Sequence, residues 1–100
     1  MLWVISCISR PNTATQRTEH LPAHRSYLDS RNAEILLAGG LMTDDGAEAI
    51  GAMFIVDVGG RAQAQAFIDS EPLNRAGVFE TPTIRRLFKG RLNLQLAERA

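Results

Sequence analysis

The sequence has a single cysteine, no excess of either charge and no long apolar run. Cys7 cannot form a disulfide within the chain, so the pattern is not that of a disulfide-stabilised secreted domain. Lys plus Arg and Asp plus Glu both number 11, and this zero net charge provides no basic field that would attract nucleic acid. The apolar runs are too short to span a membrane. We therefore expect no nucleic-acid and no membrane partner.

The N-terminal residues 1–8 are apolar but lack a basic segment, so they do not resemble a signal peptide. The cytoplasm is therefore the expected location. One hundred residues are sufficient for one domain. We assign 1–100 to a single unit, with a core of about 2–89 and a C-terminal arm of about 90–100.

Three apolar segments have the character of β-strands. Residues 2–8 are apolar at almost every position, which is typical of a strand covered on both faces. Residues 34–42 precede a turn cluster at 43–46, after which apolar side chains alternate over 50–58. The second and third segments are therefore predicted to pair as a hairpin.

The C-terminal part of the chain has weaker strand signals. Residues 78–89 predict a fourth strand, and Pro82 within it indicates an edge position, because proline has no N–H to donate to a neighbouring strand. Residues 92–96 are apolar at every second position. This pattern predicts either a fifth short strand or an arm that packs on a partner.

A helical period begins after the first strand. Over residues 15–32, Leu21, His24 and Leu28 fall at i, i+3 and i+7, so they lie on one side of a predicted helix. Pro22 lies inside this segment and is expected to kink the helix or to begin its second part.

A second helix is predicted over residues 61–70. Its apolar side consists of Ala64, Phe67 and Ile68. Glu71 is the next member of this apolar side, at the end of the helix. Pro72 ends the helix, because the residue before a proline is displaced from the α conformation.

The order of the predicted elements is βαββαβ. With right-handed β–α–β connections and a strand order of 4-1-3-2, both helices lie on one face of an antiparallel sheet. This is the ferredoxin-like α+β arrangement. The two most apolar strands are then central, and the strand that contains proline is at an edge. The other face of the sheet is left uncovered, so we expect a homodimer that buries it.

Two ionisable side chains, His24 and Glu71, stand on the apolar sides of these helices. The predicted fold places both helices on the same face of the sheet. An imidazole and a carboxylate that share a cavity form an acid/base pair. Taken singly, each residue has a plainer interpretation: His24 as a hydrogen-bonded histidine at the core edge, and Glu71 as a solvated carboxylate at a helix end.

The other candidate sites are weaker. His20 and His24 are four residues apart on one helical side, but two ligands do not make a metal site, and neither a metal nor another cofactor is expected. Gly39 and Gly40 could let a ligand approach the backbone closely or could serve strand geometry alone. No phosphate loop, dinucleotide fingerprint or nucleophile elbow is present.

Several short motifs follow one another along the chain in a characteristic order. They are Leu21-Pro22-Ala23-His24-x-x-Tyr27-Leu28, Ala38-Gly39-Gly40-Leu41, Asp45-Gly46, Gly51, Ala64-x-x-Phe67, Glu71-Pro72-Leu73 and Ala76-Gly77-Val78-Phe79. With this order and spacing, the sequence resembles the YciI-like (YCII-related) family over about residues 2–89.

The resemblance implies a ferredoxin-like subunit and a homodimer whose two sheets form an α/β barrel, as in the muconolactone isomerase-like superfamily. It also implies a small-molecule ligand, since some members act on, or are proposed to act on, small ring compounds such as chlorinated hydroxyquinols. The active site proposed for the family is a His–Asp pair, and the family histidine falls on His24.

The family aspartate belongs to an Asp-Pro-Tyr motif, and here Glu71 and Leu73 stand in place of the aspartate and the tyrosine. Glutamate keeps the charge but adds about 1.5 Å of reach, while catalytic geometry must hold within about 0.5 Å. Leucine removes a hydroxyl that could orient a ligand. The predicted catalytic residues are His24 and Glu71. The predicted substrate-binding residues are Tyr27, Gly39, Gly40 and Leu73.

The favoured function is that of an enzyme using the His24–Glu71 pair for acid/base chemistry on a small cyclic compound. Isomerisation, lactone chemistry and halide elimination all suit such a pair. The alternative is a non-catalytic module that binds or senses a small molecule in the same pocket. A third interpretation is an assembly role, in which the arm at 92–96 docks on a neighbour.

Overall fold

A computed structural model describes residues 1–100. Its four strands are β1 (Leu2–Ile8), β2 (Ile35–Met42), β3 (Ala49–Asp57) and β4 (Thr83–Leu87). Its four α-helices are α1 (Ala14–Ser30), α2 (Arg61–Asp69), α3 (Pro72–Arg75) and α4 (Leu94–Arg99), and a 3₁₀ turn at Asn32–Glu34 precedes β2. No helix combines the length and the apolar character that crossing a bilayer requires.

The strands form one antiparallel sheet in the order β2-β3-β1-β4. This order is the predicted 4-1-3-2, with the two most apolar strands in the centre. The ferredoxin-like α+β prediction is confirmed, and β4 lies at an edge as Pro82 indicated.

The core lies between the sheet and the helices. Alternate side chains of β1 and β3 meet in register on this face, with Ile5 opposite Phe54 and Cys7 opposite Ala52. Phe67 of α2 packs on Phe54, with their ring centroids 5.6 Å apart at a steep angle. Burial of such apolar side chains stabilises the fold by about 1.5–3 kcal/mol each.

The two central strands approach closely at Gly51, which pairs with Ile8. A Cβ atom at Gly51 would lie 2.2 Å from the carbonyl oxygen of Cys7, which is closer than van der Waals contact permits. Only glycine therefore fits at this position in the sheet.

Helix α1 continues from Ala14 to Ser30 with Pro22 inside it, so the proline does not begin a separate helix. Pro22 is exposed, and its ring therefore adds no crowding to the core. Strand β4 is shorter than the predicted 78–89. Pro82 precedes it and interrupts the ladder, and Phe79 forms only an isolated bridge with Ser9.

The prediction of a fifth strand at 92–96 is wrong. Residues Leu94–Arg99 form helix α4, and the Asn93 side chain caps it by accepting a hydrogen bond from the Leu96 N–H at 3.1 Å. The alternation of apolar residues in so short a segment does not supply the neighbouring strand that a β-strand requires. Every residue of the tail from 89 to 100 is exposed.

The face of the sheet opposite the helices is apolar and uncovered in the single chain. Leu37, Ile55 and Val4 form one row across β2, β3 and β1. Leu37 is 58% exposed and Ile8, further along the same face, is 50% exposed. We call this surface the open face of the sheet.

Candidate acid/base site

The site lies between α1, the start of α3 and the sheet. Helix α1 projects His24 toward β3, where its ring meets Phe54 edge-on with the centroids 6.2 Å apart. The Phe54 ring therefore supports one side of the imidazole. Since Phe54 is also held by Phe67, the position of the imidazole is coupled to the packing of the core.

Glu71 is completely buried and forms the N-cap of α3. Its backbone is extended, and Pro72 occupies the first helical position, for which its restricted φ is suited. The Oε1 atom accepts a hydrogen bond from the Leu73 N–H at 3.1 Å, and Oε2 accepts one from the Asn74 N–H at 2.9 Å. These two bonds hold the carboxylate in one orientation.

The imidazole and the carboxylate meet directly. His24 Nδ1 and Glu71 Oε1 are 2.5 Å apart, and His24 is 14% exposed while Glu71 is not exposed at all. A carboxylate oxygen can only accept a hydrogen bond. Nδ1 is therefore the ring nitrogen that carries the proton, and its N–H donates a hydrogen bond to Oε1. The other ring nitrogen, Nε2, has no hydrogen-bond partner in the chain and is not among its fully buried polar atoms. It is therefore the atom that an incoming ligand can meet.

The two residues of the predicted pair lie together in the structure. His24 and Glu71 are 47 positions apart in the sequence but within hydrogen-bond distance, and their catalytic roles stay a prediction. His20 does not join them in a metal site, since no group of three or more His, Cys, Asp or Glu side chains is arranged to hold a metal ion.

Tyr27 lies one turn after His24 and connects α1 to α2. Its hydroxyl donates to the carbonyl oxygen of Phe67 at 2.7 Å and accepts from Arg31 Nη1 at 3.2 Å. Burial raises the pKa of Tyr27 above its ordinary value, with the Arg31 charge opposing this effect. The hydroxyl is therefore engaged within the protein, and its predicted contact with a substrate would require displacing these bonds.

The remaining predicted binding residues lie apart from one another. Gly39 pairs with Met53 on the open face, whereas Gly40 pairs with Ala52 on the helix side. Leu73 has no exposed area and belongs to the core, so in this conformation its side chain is not available to a ligand.

The apolar run around Cys7 predicts a small buried side chain, and Cys7 is completely buried. Sequence reasoning did not single out Arg17. Arg17 lies seven residues before His24, on the same side of α1, and that spacing was the available signal. Cys7 is buried beneath the site. Burial and, to a smaller extent, the nearby Glu71 charge together raise the pKa of its thiol to about 12.

Two cavities open at the ends of the sheet rather than at the pair. One of about 800 Å³ is bordered by Leu2, Ile35 and Leu87. Another of about 720 Å³ lies between the loop after β1, the start of α1 and the start of β3, and Arg17 is among its lining residues. Neither cavity includes His24 or Glu71.

The fold and the buried histidine–carboxylate pair define a ferredoxin-like α+β domain with a candidate acid/base site. Residues 1–87 match the model of the YCII-related domain, and the chain belongs to this family. No curated protein sequence matches the chain significantly.

A solved structure with a similar fold is 5-chloro-2-hydroxyhydroquinone dehydrochlorinase (TftG) from Burkholderia phenoliruptrix AC1100, in complex with 2,5-dihydroxybenzoquinone. The superposition gives a TM-score of 0.82 at 24% sequence identity and covers 90% of this chain and 96% of that one. At this identity the similarity establishes the shared fold.

Proposed function

We propose that this protein is an enzyme that performs acid/base chemistry on a small cyclic compound, with His24 as the proton-transferring residue. The observation that carries the proposal is the 2.5 Å contact between His24 Nδ1 and the fully buried carboxylate of Glu71. A buried carboxylate is costly unless it is satisfied, and this one is satisfied in a way that leaves Nε2 free.

In the proposed mechanism, Glu71 keeps the Nδ1–H tautomer of His24 and orients its ring. The lone pair on Nε2 then accepts a proton from the substrate, and the carboxylate stabilises the imidazolium that forms. Nε2 returns the proton at another atom of the substrate in an isomerisation. In a halide elimination, Nε2 first returns the hydroxyl proton to the ring carbon that bears the chlorine, which gives a keto form. Nε2 then accepts a proton from a second ring hydroxyl while the C–Cl electron pair leaves with chloride, and this second proton passes to water, so that the products are a quinone and HCl.

The fold similarity to a dehydrochlorinase supports halide elimination as the first reaction to examine. That enzyme is named for acting on 5-chloro-2-hydroxyhydroquinone and was solved with a dihydroxybenzoquinone. Ring compounds with ionisable hydroxyls suit a general base, because loss of a hydroxyl proton pushes electron density toward the carbon that bears the halide.

Chloride release from 5-chloro-2-hydroxyhydroquinone under anaerobic conditions tests the proposal. The wild-type chain should release chloride faster than buffer alone, and His24→Ala should lower the rate by about 10²-fold or more. His20→Ala is the matched control, since His20 lies one turn away on the same helix without contacting Glu71. Equal rates for wild type and His24→Ala would remove His24 from the mechanism.

A binding role without turnover predicts a different result in the same system. The alternative non-catalytic module would be stabilised against thermal unfolding by 2,5-dihydroxybenzoquinone, with no chloride released from the chlorinated compound. That combination would replace the enzymatic proposal with the binding one.

We also propose that the protein is a cytoplasmic homodimer that buries the open face of the sheet. The core covers the helix side of the sheet. The row formed by Val4, Ile55 and Leu37 lies on the other side, which nothing covers in the single chain. Packing of two such faces would form the α/β barrel. Light scattering at micromolar concentration should give twice the 11.0 kDa mass of one chain, and a single-chain mass would contradict the dimer.

A further inference from the structure

Arg17 lies between α1 and one end of the sheet without an acidic partner. Its Nη1 donates to Ser9 Oγ and its Nη2 donates to the Gly51 carbonyl oxygen, both at 3.3 Å. The three ion pairs of the chain involve other residues. Arg17 therefore keeps a positive charge that only neutral oxygens contact, at long distances.

A second arginine borders the same space. Arg10 uses Nε to donate to the Phe79 carbonyl oxygen at 2.9 Å, and its two terminal nitrogens have no partner in the chain. The loop between β1 and α1, the start of α1 and the start of β3 enclose a cavity of about 720 Å³. We call this cavity the Arg17 cleft, and its polar and charged lining residues are Ser9, Arg10, Asn12, Thr13, Arg17, Thr18 and Glu48.

The charges of the Arg17 cleft favour an anion. Two guanidinium groups face one carboxylate, that of the exposed Glu48, and Glu48 makes no ion pair with either arginine. A guanidinium stays protonated and presents five N–H donors in a planar fork, so it matches carboxylate and phosphate oxygens. Arg17 uses one donor from each terminal nitrogen, and the remaining N–H groups are unpaired.

We propose that the Arg17 cleft binds the carboxylate or phosphate group of a small molecule, with Arg17 as the principal ligand and Arg10 as the second. The site is distinct from the His24–Glu71 pair, because neither His24 nor Glu71 lines the Arg17 cleft. Its occupation does not depend on proton transfer by His24, and it therefore goes beyond the proposed function.

Amide chemical-shift mapping on the wild-type chain tests the site directly. Titration with benzoate should shift the amide signals of residues 9–18 and 48–51, and benzamide, which has the same ring without the charge, should not. A parallel titration with inorganic phosphate distinguishes a carboxylate site from a phosphate site by which anion saturates at lower concentration. Shifts that are absent for both anions, or that are confined to the surroundings of His24, would overturn the proposal.

Substitutions of arginine give the second test. Arg17→Gln should weaken anion binding by at least tenfold, and Arg17→Lys, which keeps the charge but not the fork, should weaken it less. Arg25→Gln is the matched control, because Arg25 is exposed on the same helix and forms no ion pair. If Arg17→Gln does not fold, Arg10→Gln and Arg17→Lys carry the test. Unchanged affinity in both of these variants would also overturn the proposal, and His24→Ala should leave the affinity unchanged.

Discussion

A single oxygen atom of Glu71 accepts hydrogen bonds from both His24 Nδ1 and the Leu73 N–H. The residue that orients the imidazole is thus also the residue that begins helix α3. Because the second oxygen is held by Asn74, the carboxylate cannot turn away from His24 without uncapping the helix. This shared oxygen joins the geometry of the site to the stability of the fold.

The first prediction concerns the energetic coupling of the pair. His24→Ala leaves a buried carboxylate without its partner, and the expected loss in free energy of unfolding is about 3 kcal/mol. Glu71→Gln removes the charge but keeps an oxygen that can cap α3. The double variant should cost about 1–3 kcal/mol less than the sum of the two single variants. Urea unfolding of the four proteins measures this coupling, and additive losses would show that the contact carries no energy of its own.

The second prediction concerns the length of the carboxylate side chain. Glu71→Asp shortens the reach toward His24 by about 1.5 Å but keeps an N-cap residue that suits the start of α3. Proton transfer should fall by about 10²-fold while the melting temperature changes little. Chloride release and thermal unfolding measured on the same samples separate the two effects. Full activity in Glu71→Asp would show that the extra methylene is not needed for the pair to function.

The contact between His24 and Glu71 could be anticipated because each residue interrupts an otherwise apolar side of its helix. The β–α–β connections then bring both helices to the same face. The hydrogen bonds of Arg17 could not be predicted from the sequence pattern. Its partners, Ser9 and Gly51, are small neutral groups 8 and 34 positions away, and they carry no pattern that sets them apart from other strand-end residues.

In the C-terminal tail, the sequence pattern predicts a strand that the structure does not contain. Leu92, Leu94 and Leu96 alternate as strand residues do, yet the segment has no neighbouring strand and closes locally into α4 under the Asn93 cap. Alternation identifies a strand only where a sheet edge is available. The sheet edge formed by β4 offers little room for a fifth strand, because β4 is short and Pro82 precedes it.

The third prediction concerns the close approach of the central strands. Gly51→Ala would place a methyl group against the Cys7 carbonyl oxygen, so β1 and β3 must separate locally. The expected loss is about 1–3 kcal/mol in the free energy of unfolding. Gly39→Ala is the matched control, because a Cβ there meets no atom within 4 Å and should change stability by about 0.5 kcal/mol or less. Equal stability of the two variants would contradict the close packing at Gly51.

The fourth prediction concerns the pH dependence of stability that arises from Cys7. Burial raises the pKa of its thiol from 9.0 to about 12, so between these values the unfolded chain releases a proton that the folded chain retains. The contribution is complete below pH 9 and is lost as the pH rises, at about 1.4 kcal/mol per pH unit. Cys7→Ala should remove this part of the slope.

Two measurements check the prediction for Cys7. Urea unfolding of wild type and Cys7→Ala from pH 8 to 10.5 compares the slopes, and identical slopes would contradict the raised pKa. Labelling with iodoacetamide at pH 8 should modify the thiol in urea but not in the folded protein, since the thiol is both protonated and inaccessible.

The last prediction concerns the C-terminal arm. Residues 91–100 are all exposed, and no hydrogen bond joins them to the sheet or to the other helices. Deletion of 91–100 should therefore change the free energy of unfolding by about 0.5 kcal/mol or less, because no buried contact is lost. Light scattering of the same truncated chain tests the assembly role of the arm. An unchanged mass assigns subunit association to the open face, whereas conversion of a dimer to single chains would assign it to the exposed leucines of the arm.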